Sequence, residues 1–261
     1  MIAPTPWPAE SIWEQVFPLL PDFSVEILPE IDSSNSELMR RARAGQREPT
    51  LLVAERQTAG RGRMGRVWQS QSGDSLTFSL SLPMAPKDWS GLSLAVGLSL
   101  AESLHAEVGL KWPNDLWFQS RKLGGILVEA ASMGERSQVV IGVGLNIRAR
   151  PADGLSTAPA ALTELLPALT APACLAQVVP ALIKAMLDFE RQGFAPLQQR
   201  FEARDVLKGQ AVHTSDGLQG VSLGVSPGGA LRLQTDLGVQ EIHSAEVSVR
   251  PLERPFKRPF L

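Results

Sequence analysis

Tyrosine is absent from the 261-residue chain, and cysteine and histidine are scarce, at one and three residues. Without tyrosine, no chemical step can use a phenol. A lone cysteine, Cys174, cannot form an internal disulfide, and it reads as a small buried hydrophobe on a helix. No cluster of histidine, cysteine and carboxylates has metal-ligand spacing, so no metal is expected on the protein's own side chains, and a reducing cytoplasm suits the chain. Surplus charge is lacking too: 25 Lys and Arg stand against 27 Asp and Glu, for a net charge of −2. Nothing global therefore points to nucleic acid or an anionic membrane as a partner. No uninterrupted apolar run is long enough to span a bilayer. The start, Met1-Ile2-Ala3-Pro4-Thr5-Pro6-Trp7-Pro8, carries prolines and no basic region, unlike a signal peptide. What is present, 44% hydrophobic and 20% charged residues, suffices for one sizeable core plus a small second unit.

The most informative segment alternates glycine with arginine: Gly60-Arg61-Gly62-Arg63-Met64-Gly65-Arg66. Glycines let a backbone turn sharply and bring its N–H groups close to a ligand. Arginines between them add charged forks that match carboxylate or phosphate oxygens. The run reads as a cationic clamp that is mobile until an anionic ligand orders it. Gly60, Gly62 and Gly65 also fit the dinucleotide pattern, which needs a strand before it and a helix after it. Thr50 to Ala54 supplies a strand, but the sequel is a polar loop and then Ser75-Leu76-Thr77-Phe78-Ser79-Leu80-Ser81-Leu82. That alternation has the period of a half-buried strand. A Walker loop fails because no G-K-[ST] closes the run. A basic surface loop or an RNA-binding patch remains an alternative for this segment.

A second segment, Lys111-Trp112-Pro113-Asn114-Asp115-Leu116-Trp117-Phe118, precedes Lys122-Leu123-Gly124-Gly125-Ile126-Leu127-Val128-Glu129 across a short polar turn. The pair reads as a β-hairpin. Glycines inside a strand mark close approach of a ligand or of another backbone, which favours a ligand role for Lys122 over that of a solvated edge charge.

These segments, in this order, resemble the catalytic core of a biotin protein ligase: G-R-G-R-x-G-R, K-W-P-N-D, K-L-x-G-I-L-x-E, then Gly142-Val143-Gly144-Leu145-Asn146. Upstream, Asp32-Ser33-Ser34-Asn35 is similar to the family's D-S-T-N. The resemblance spans residues 32–148 and extends weakly to the C-terminus. It implies an α+β fold, a mixed sheet flanked by helices as in class II synthetases, with a small C-terminal SH3-like β-barrel. Catalytic residues 1–205 and barrel residues 206–261 are the expected division. Fewer residues precede Asp32 than a DNA-binding winged helix needs, so the enzyme-only form is expected.

The implied reaction joins biotin to AMP at the expense of ATP and passes the biotinyl group to a lysine of a biotin carboxyl carrier protein. Mg²⁺ would come with the nucleotide, bound mostly through phosphate oxygens. Carried over by motif, Ser33, Ser34, Asn35 and Gln57 would meet biotin's ureido head and ring, with Arg61, Gly62, Arg63, Lys122, Gly125 and Leu127 around the rest. Arg61, Arg63, Arg66, Lys111, Trp112, Asn114 and Asn146 would meet ATP or the adenylate. Lys122, Arg63 and Asp115 would be catalytic, Asp115 either as base for the acceptor amine or as a mere hairpin cap. The family often covers its adenylate with a tryptophan that residues 149–172 lack, leaving Leu162 or Leu165 as substitutes. Rival readings are a lipoate or octanoyl ligase of the same fold, and a non-enzymatic regulator sensing biotinyl-AMP. No nucleic-acid or membrane partner is expected, and either a monomer or a homodimer is allowed.

The other elements follow from patterning. Residues 9–20 predict a short helix, Val25 to Leu28 a strand, and Ser34 or Asn35 an N-cap for a helix bearing Arg40, Arg41 and Arg43 on a solvated face. Trp89 to Val108 and Ala173 to Phe194 predict apolar helices, the second with Pro180 in its first turns. Residues 151–172 read as a mobile connection. Beyond Asp205, four short strands separated by Asp216-Gly217 and Pro227-Gly228-Gly229 form the barrel, with His213 and His243 as ordinary strand residues.

Overall fold

The structure, a computed structural model, describes residues 6–133, 136–150, 157–243 and 248–251. Seven strands make the principal sheet: β1 (Ser24–Ile31), β2 (Thr50–Gln57), β3 (Ser75–Met84), β4 (Gly109–Lys111), β5 (Asp115–Phe118), β6 (Arg121–Met133) and β7 (Arg136–Asn146). Their order is β1-β2-β3-β7-β6-β5-β4, with β1 and β2 parallel and every other pair antiparallel. This is the expected mixed sheet. The β5–β6 hairpin turns at Gln119 and Ser120, both at positive φ (47° and 61°), as a two-residue hairpin turn requires.

Helices cover both faces because the strand side chains alternate. Leu52 and Val140 point to one face, where they pack with Leu38 and Met39 of α2 (Ser34–Arg43). Leu51, Val53, Leu80 and Ile141 point to the other, into the main core with α1 (Ala9–Val16), α3 (Leu92–Leu104) and α4 (Ala171–Gln192). Each fully buried aliphatic side chain there contributes roughly 1.5–3 kcal/mol. By length and composition α4 could cross a membrane, which a search for uninterrupted runs passes over. Its apolar residues Leu175, Val178, Val179, Leu182 and Ile183 are instead buried in the core.

Several sequence expectations need correction. Ser33, not Ser34 or Asn35, caps α2, its hydroxyl accepting from the Ser36 N–H at 3.3 Å. Arg40 and Arg43 are exposed, as expected of a solvated face, although Arg40 and Arg41 also pair with Asp32, Glu37 and Glu26. Pro180 lies in the interior of α4, because the helix starts at Ala171 behind a Thr170 cap. Strand β3 is buried on both faces. Ser79 bonds Ser34 and Asn35 of α2, while Ser75 and Ser81 are bonded to Gln71 and Gln138, so the period was right but the half-buried environment was not. The mobile connection expected at 151–172 lies outside the described residues up to 156; from there, Ala160, Ala161 and Leu162 are buried.

The C-terminal sheet is SH3-like and fully antiparallel, ordered β11-β10-β9-β8-β12: β8 (Ala211–Thr214), β9 (Gln219–Val225), β10 (Leu231–Thr235), β11 (Gly238–Ile242) and β12 (Val249–Pro251). Strand β12 carries too few residues to stand out in the sequence. Val212, Val225, Leu231, Leu233 and Val249 belong to the same apolar cluster as α3 and α4. A short α5 (Gln198–Glu202) leads into the junction.

At the junction, Leu110 N–H donates to Arg204 O (2.8 Å) and Val206 N–H to Leu110 O (3.0 Å). Between these bonds sits Asp205, whose carboxyl is raised to about 6, chiefly by burial, and whose Oδ2 has no partner. The folded state therefore holds a proton that the unfolded chain releases near pH 3.8. The associated stability is fully present below that pH and is lost as pH rises through about 6. Asp205→Asn should keep the bond from Leu207 N–H to Oδ1 (2.9 Å) and raise stability at pH 7.5 by roughly 2 kcal/mol. At pH 4, denaturant unfolding should give a gain near zero.

Candidate active site

A cavity of about 710 Å³ opens over the N-terminal halves of β3 and β6 and the C-terminal half of β7 between them, bounded by the α2 start, the arginine–glycine run, the β4–β5 turn and β12. Its floor is built of small residues for steric reasons. A Cβ on Gly142 would lie 2.2 Å from Asn35 Oδ1, and one on Gly144 would lie 2.4 Å from the Trp68 ring. Each glycine of G-V-G thus makes room for one side chain of the site. Gly124 makes room for the backbone instead, its Cβ position being 2.6 Å from Gly144 O. Gly125 faces the cavity beside Lys122.

One end of the cavity is neutral and polar. Gln57 Oε1 accepts from Ser34 N–H at 2.7 Å and from Ser34 Oγ at 3.0 Å. Ser79 Oγ donates to Asn35 Oδ1 at 2.7 Å and lies 2.8 Å from Ser34 Oγ. Asn35 Nδ2 donates to Leu127 O (3.3 Å) and to Glu129 Oε2 (2.9 Å). Because these groups are buried and mutually bonded, their orientations are fixed before a ligand arrives.

The other end is cationic. Arg61, Arg63, Arg66, Lys111, Lys122, Arg150 and Arg250 line it. Asp115 is the one carboxylate among the described lining residues, and it pairs with Lys122 Nζ at 2.7 Å. Lys111 sits 5.2 Å from the Trp117 ring centroid. Burial, with Lys122, Arg250 and Arg66 nearby, pushes its ammonium down to about 8 against the pull of Asp115. Burial likewise lowers Arg63, again opposed by Asp115.

The arginine–glycine run forms a tight hairpin, with Gly62 N–H donating to Arg66 O (2.7 Å) and Trp68 N–H to Gly60 O (2.9 Å). Met64 takes a positive φ of 56° at the tip. Arg61 pairs with Glu129 Oε1 at 2.6 Å, and Arg63 Nη1 donates to Asn114 Oδ1 at 3.3 Å.

The structure thus gathers Ser33, Ser34, Asn35, Gln57, Arg61, Gly62, Arg63, Arg66, Lys111, Asn114, Asp115, Lys122, Gly125 and Leu127 around one cavity. Two expected residues stand apart from it. Trp112 is fully buried, its indole N–H donating to Gly229 O at 3.0 Å across the junction, so its bulk serves packing. Asn146 is also buried, and its Nδ2 anchors Lys122 O and Ala160 O at 3.1 and 3.0 Å. Through these bonds it helps to position the Lys122 backbone, while its Oδ1 has no partner. Leu162 and Leu165 pack in the core and cover nothing. Arg150 lines the cavity, 5.3 Å from the Trp68 centroid, with Nη1 donating to Gln69 O at 3.2 Å. Sequence reasoning missed Trp68, Ser79, Arg150 and Arg250. Serine periodicity pointed to Ser79; a lone arginine on a three-residue strand carries no signal.

The Biotin/lipoate A/B protein ligase family matches residues 29–146. A bifunctional ligase/repressor BirA from Escherichia coli is 35% identical over 253 residues, covering 92% of this chain and 78% of the relative. A biotin--[acetyl-CoA-carboxylase] ligase from Paracoccus denitrificans is 30% identical over 240 residues, covering 85% and 98%. Among solved structures, the biotin protein ligase from Aquifex aeolicus in complex with biotin and ATP superposes with a TM-score of 0.74 at 29% identity, covering 87% of this chain and 99% of that one.

Below pH 8 the Lys111 ammonium is charged and attracts a polyphosphate; as pH rises through about 8 that charge is lost. Affinity of the free protein for a nucleoside triphosphate should therefore fall above pH 8, by a factor approaching ten per pH unit. In Lys111→Arg, calorimetric titration should show affinity flat to pH 9.

Proposed function

The chain belongs to the biotin/lipoate A/B protein ligase family, and from that premise we infer how its cavity divides the work of a biotin protein ligase. The enzyme activates biotin with ATP as biotinyl-5′-AMP and transfers the biotinyl group to a lysine of a carboxyl carrier protein. The observation that carries the assignment of the two ends is their opposite chemistry: a neutral slot of fixed donors and acceptors faces a pocket of cations across about 710 Å³. A ureido ring, with two N–H donors and one carbonyl, suits a slot built of Ser34, Asn35, Gln57 and Ser79. The apolar dithiolane of lipoate could not use the capacity these groups keep free, such as the second lone pair of Asn35 Oδ1, and would bury it without a partner at a cost of about 1–3 kcal/mol.

In the first step the biotin carboxylate oxygen attacks the α-phosphorus of ATP, and pyrophosphate leaves. An anion meeting a polyanion needs charge compensation that strengthens as charge develops. Lys122, oriented by Asp115, would hold the carboxylate and the α-phosphate. Arg63 and Arg66 would close over them from the clamp, while Lys111 and, from the barrel, Arg250 hold the outer phosphates. Strand β12 thus completes the site rather than being appended to it. Asp115 is the one carboxylate among the described lining residues and, with Asn114 beside it, could offer oxygen to Mg²⁺, a set suited to an ion that arrives on the phosphates and neutralises them. In the second step the acceptor's neutral ε-amine attacks the acyl carbon, the acyl–phosphate bond breaks, and AMP leaves. Asp115, released as Lys122 follows the phosphate, is the group we assign to receive the amine proton. Trp68 and Arg150 would cover the intermediate. A cytoplasmic enzyme with a carboxylase carrier as its partner fits these roles.

Lys122→Ala should unfold like the wild type, because its amine pairs at the cavity rather than packing in the core. It should lose about 10²–10³ in the rate of biotin-dependent ATP–pyrophosphate exchange. Exchange supported by lipoate but not biotin would reassign the slot, and unchanged exchange in Lys122→Ala would remove that residue from the mechanism.

A further inference from the structure

Glu129 lies outside the cavity lining, yet it touches both ends of the site. On β6 it stands two residues beyond Leu127 and on the same face. Its Oε2 accepts from Asn35 Nδ2 at 2.9 Å, and its Oε1 accepts from Arg61 Nη2 at 2.6 Å. Arg61 Nη1 in turn donates to Ser36 Oγ at 3.0 Å. One carboxylate therefore joins the residue that lines the ureido slot to the first arginine of the clamp.

A carboxylate at this position has a consequence that other polar residues would lack. Ionised, it can only accept hydrogen bonds, so it can face the amide nitrogen of Asn35 but not the amide oxygen. Leu127 O accepts from the same Nδ2 at 3.3 Å, so both amide hydrogens are committed. Asn35 Oδ1 is thereby turned toward Ser79 and over Gly142, into the cavity, where its second lone pair can accept an N–H. Without the carboxylate, the amide could flip and present a donor there instead. The other oxygen holds Arg61, at the root of the Gly62–Arg66 hairpin, close to the slot.

We propose that Glu129 is a positioning residue that fixes the polarity of Asn35 toward the biotin head group and draws the clamp, through Arg61, onto the occupied slot. The proposal rests on biotin being the ligand. Its effect falls on capture of biotin, not on phosphoryl chemistry at Lys122.

The isosteric Glu129→Gln variant tests this, because its amide can donate to Asn35 Oδ1 and no longer pairs with the Arg61 charge. Loss of a charge-assisted hydrogen bond corresponds to roughly a tenfold or greater loss of affinity. KM for biotin in pyrophosphate exchange should rise at least about tenfold, with kcat within about threefold of wild type, and Glu129→Ala should behave similarly. In an Arg61→Ala, Asn35→Ala background, Glu129→Ala should add almost nothing, since both groups it positions are gone. Wild-type KM in Glu129→Gln, a fall in kcat at unchanged KM, or full additivity in the triple variant would each overturn the proposal. A wild-type enzyme whose exchange ignores biotin would instead overturn the assignment of the slot, and the proposal with it.

Discussion

Holding several cations around one cavity is the constraint on which the rest depends. Lys111, Lys122, Arg63, Arg66 and Arg250 repel one another, and burial of Lys111, added to by Lys122, Arg250 and Arg66, lowers its ammonium to about 8. Asp115, paired with Lys122 at 2.7 Å, is the counter-charge from within the lining. Outside it, Glu129 takes up Arg61 at 2.6 Å. This arrangement keeps net positive charge where a reaction between two anions needs it, and a ligand bringing phosphate relieves the repulsion. Affinity for the activated intermediate is thus stored in the ligand-free protein as unfavourable charge density, a form of preorganisation.

The fold serves that constraint through the sheet. Strands β3, β7 and β6 run side by side, with Ser79 opposite Gly142 and Gly125 opposite Gly144. Small residues at these registers hollow the face toward α2, while the reverse face remains filled by Leu80, Ile141 and Val143 against α3 and α4. A rigid apolar layer beneath the cavity lets short polar side chains hold fixed directions above it. The C-terminal sheet packs into the same apolar cluster, which is why β12 can present Arg250 to a cavity built almost wholly by the other sheet.

The sequence revealed the parts whose chemistry requires a local pattern. Gly60 to Arg66 and Lys111 to Asp115 had to be contiguous to form a hairpin of donors and a turn beside β5, so both were legible. So was the strand period of Ser75 to Leu82, but period does not say what a face meets; the strand read as half-buried is buried on both faces, with Ser79 bonded to α2. Trp112 and Asn146 belong to the motifs yet stand outside the cavity lining, because motif membership does not separate lining residues from those that hold them in place. Trp112 bonds Gly229 across 117 positions of chain, and Asn146 bonds the backbone of Lys122. Arg150, Arg250 and Glu129 act through contacts that only the folded chain creates.

The central claim is that clamp cations retain the adenylate until an acceptor lysine arrives. Dissociation of preformed biotinyl-5′-AMP from the enzyme, followed without acceptor protein for the wild type and Arg63→Gly, addresses it directly. Arg63→Gly keeps the hairpin's glycine-rich backbone but removes one charged fork, so release should quicken by about ten- to a hundredfold, with biotinylation of bystander lysines appearing in step. Equal release from both proteins would contradict the account.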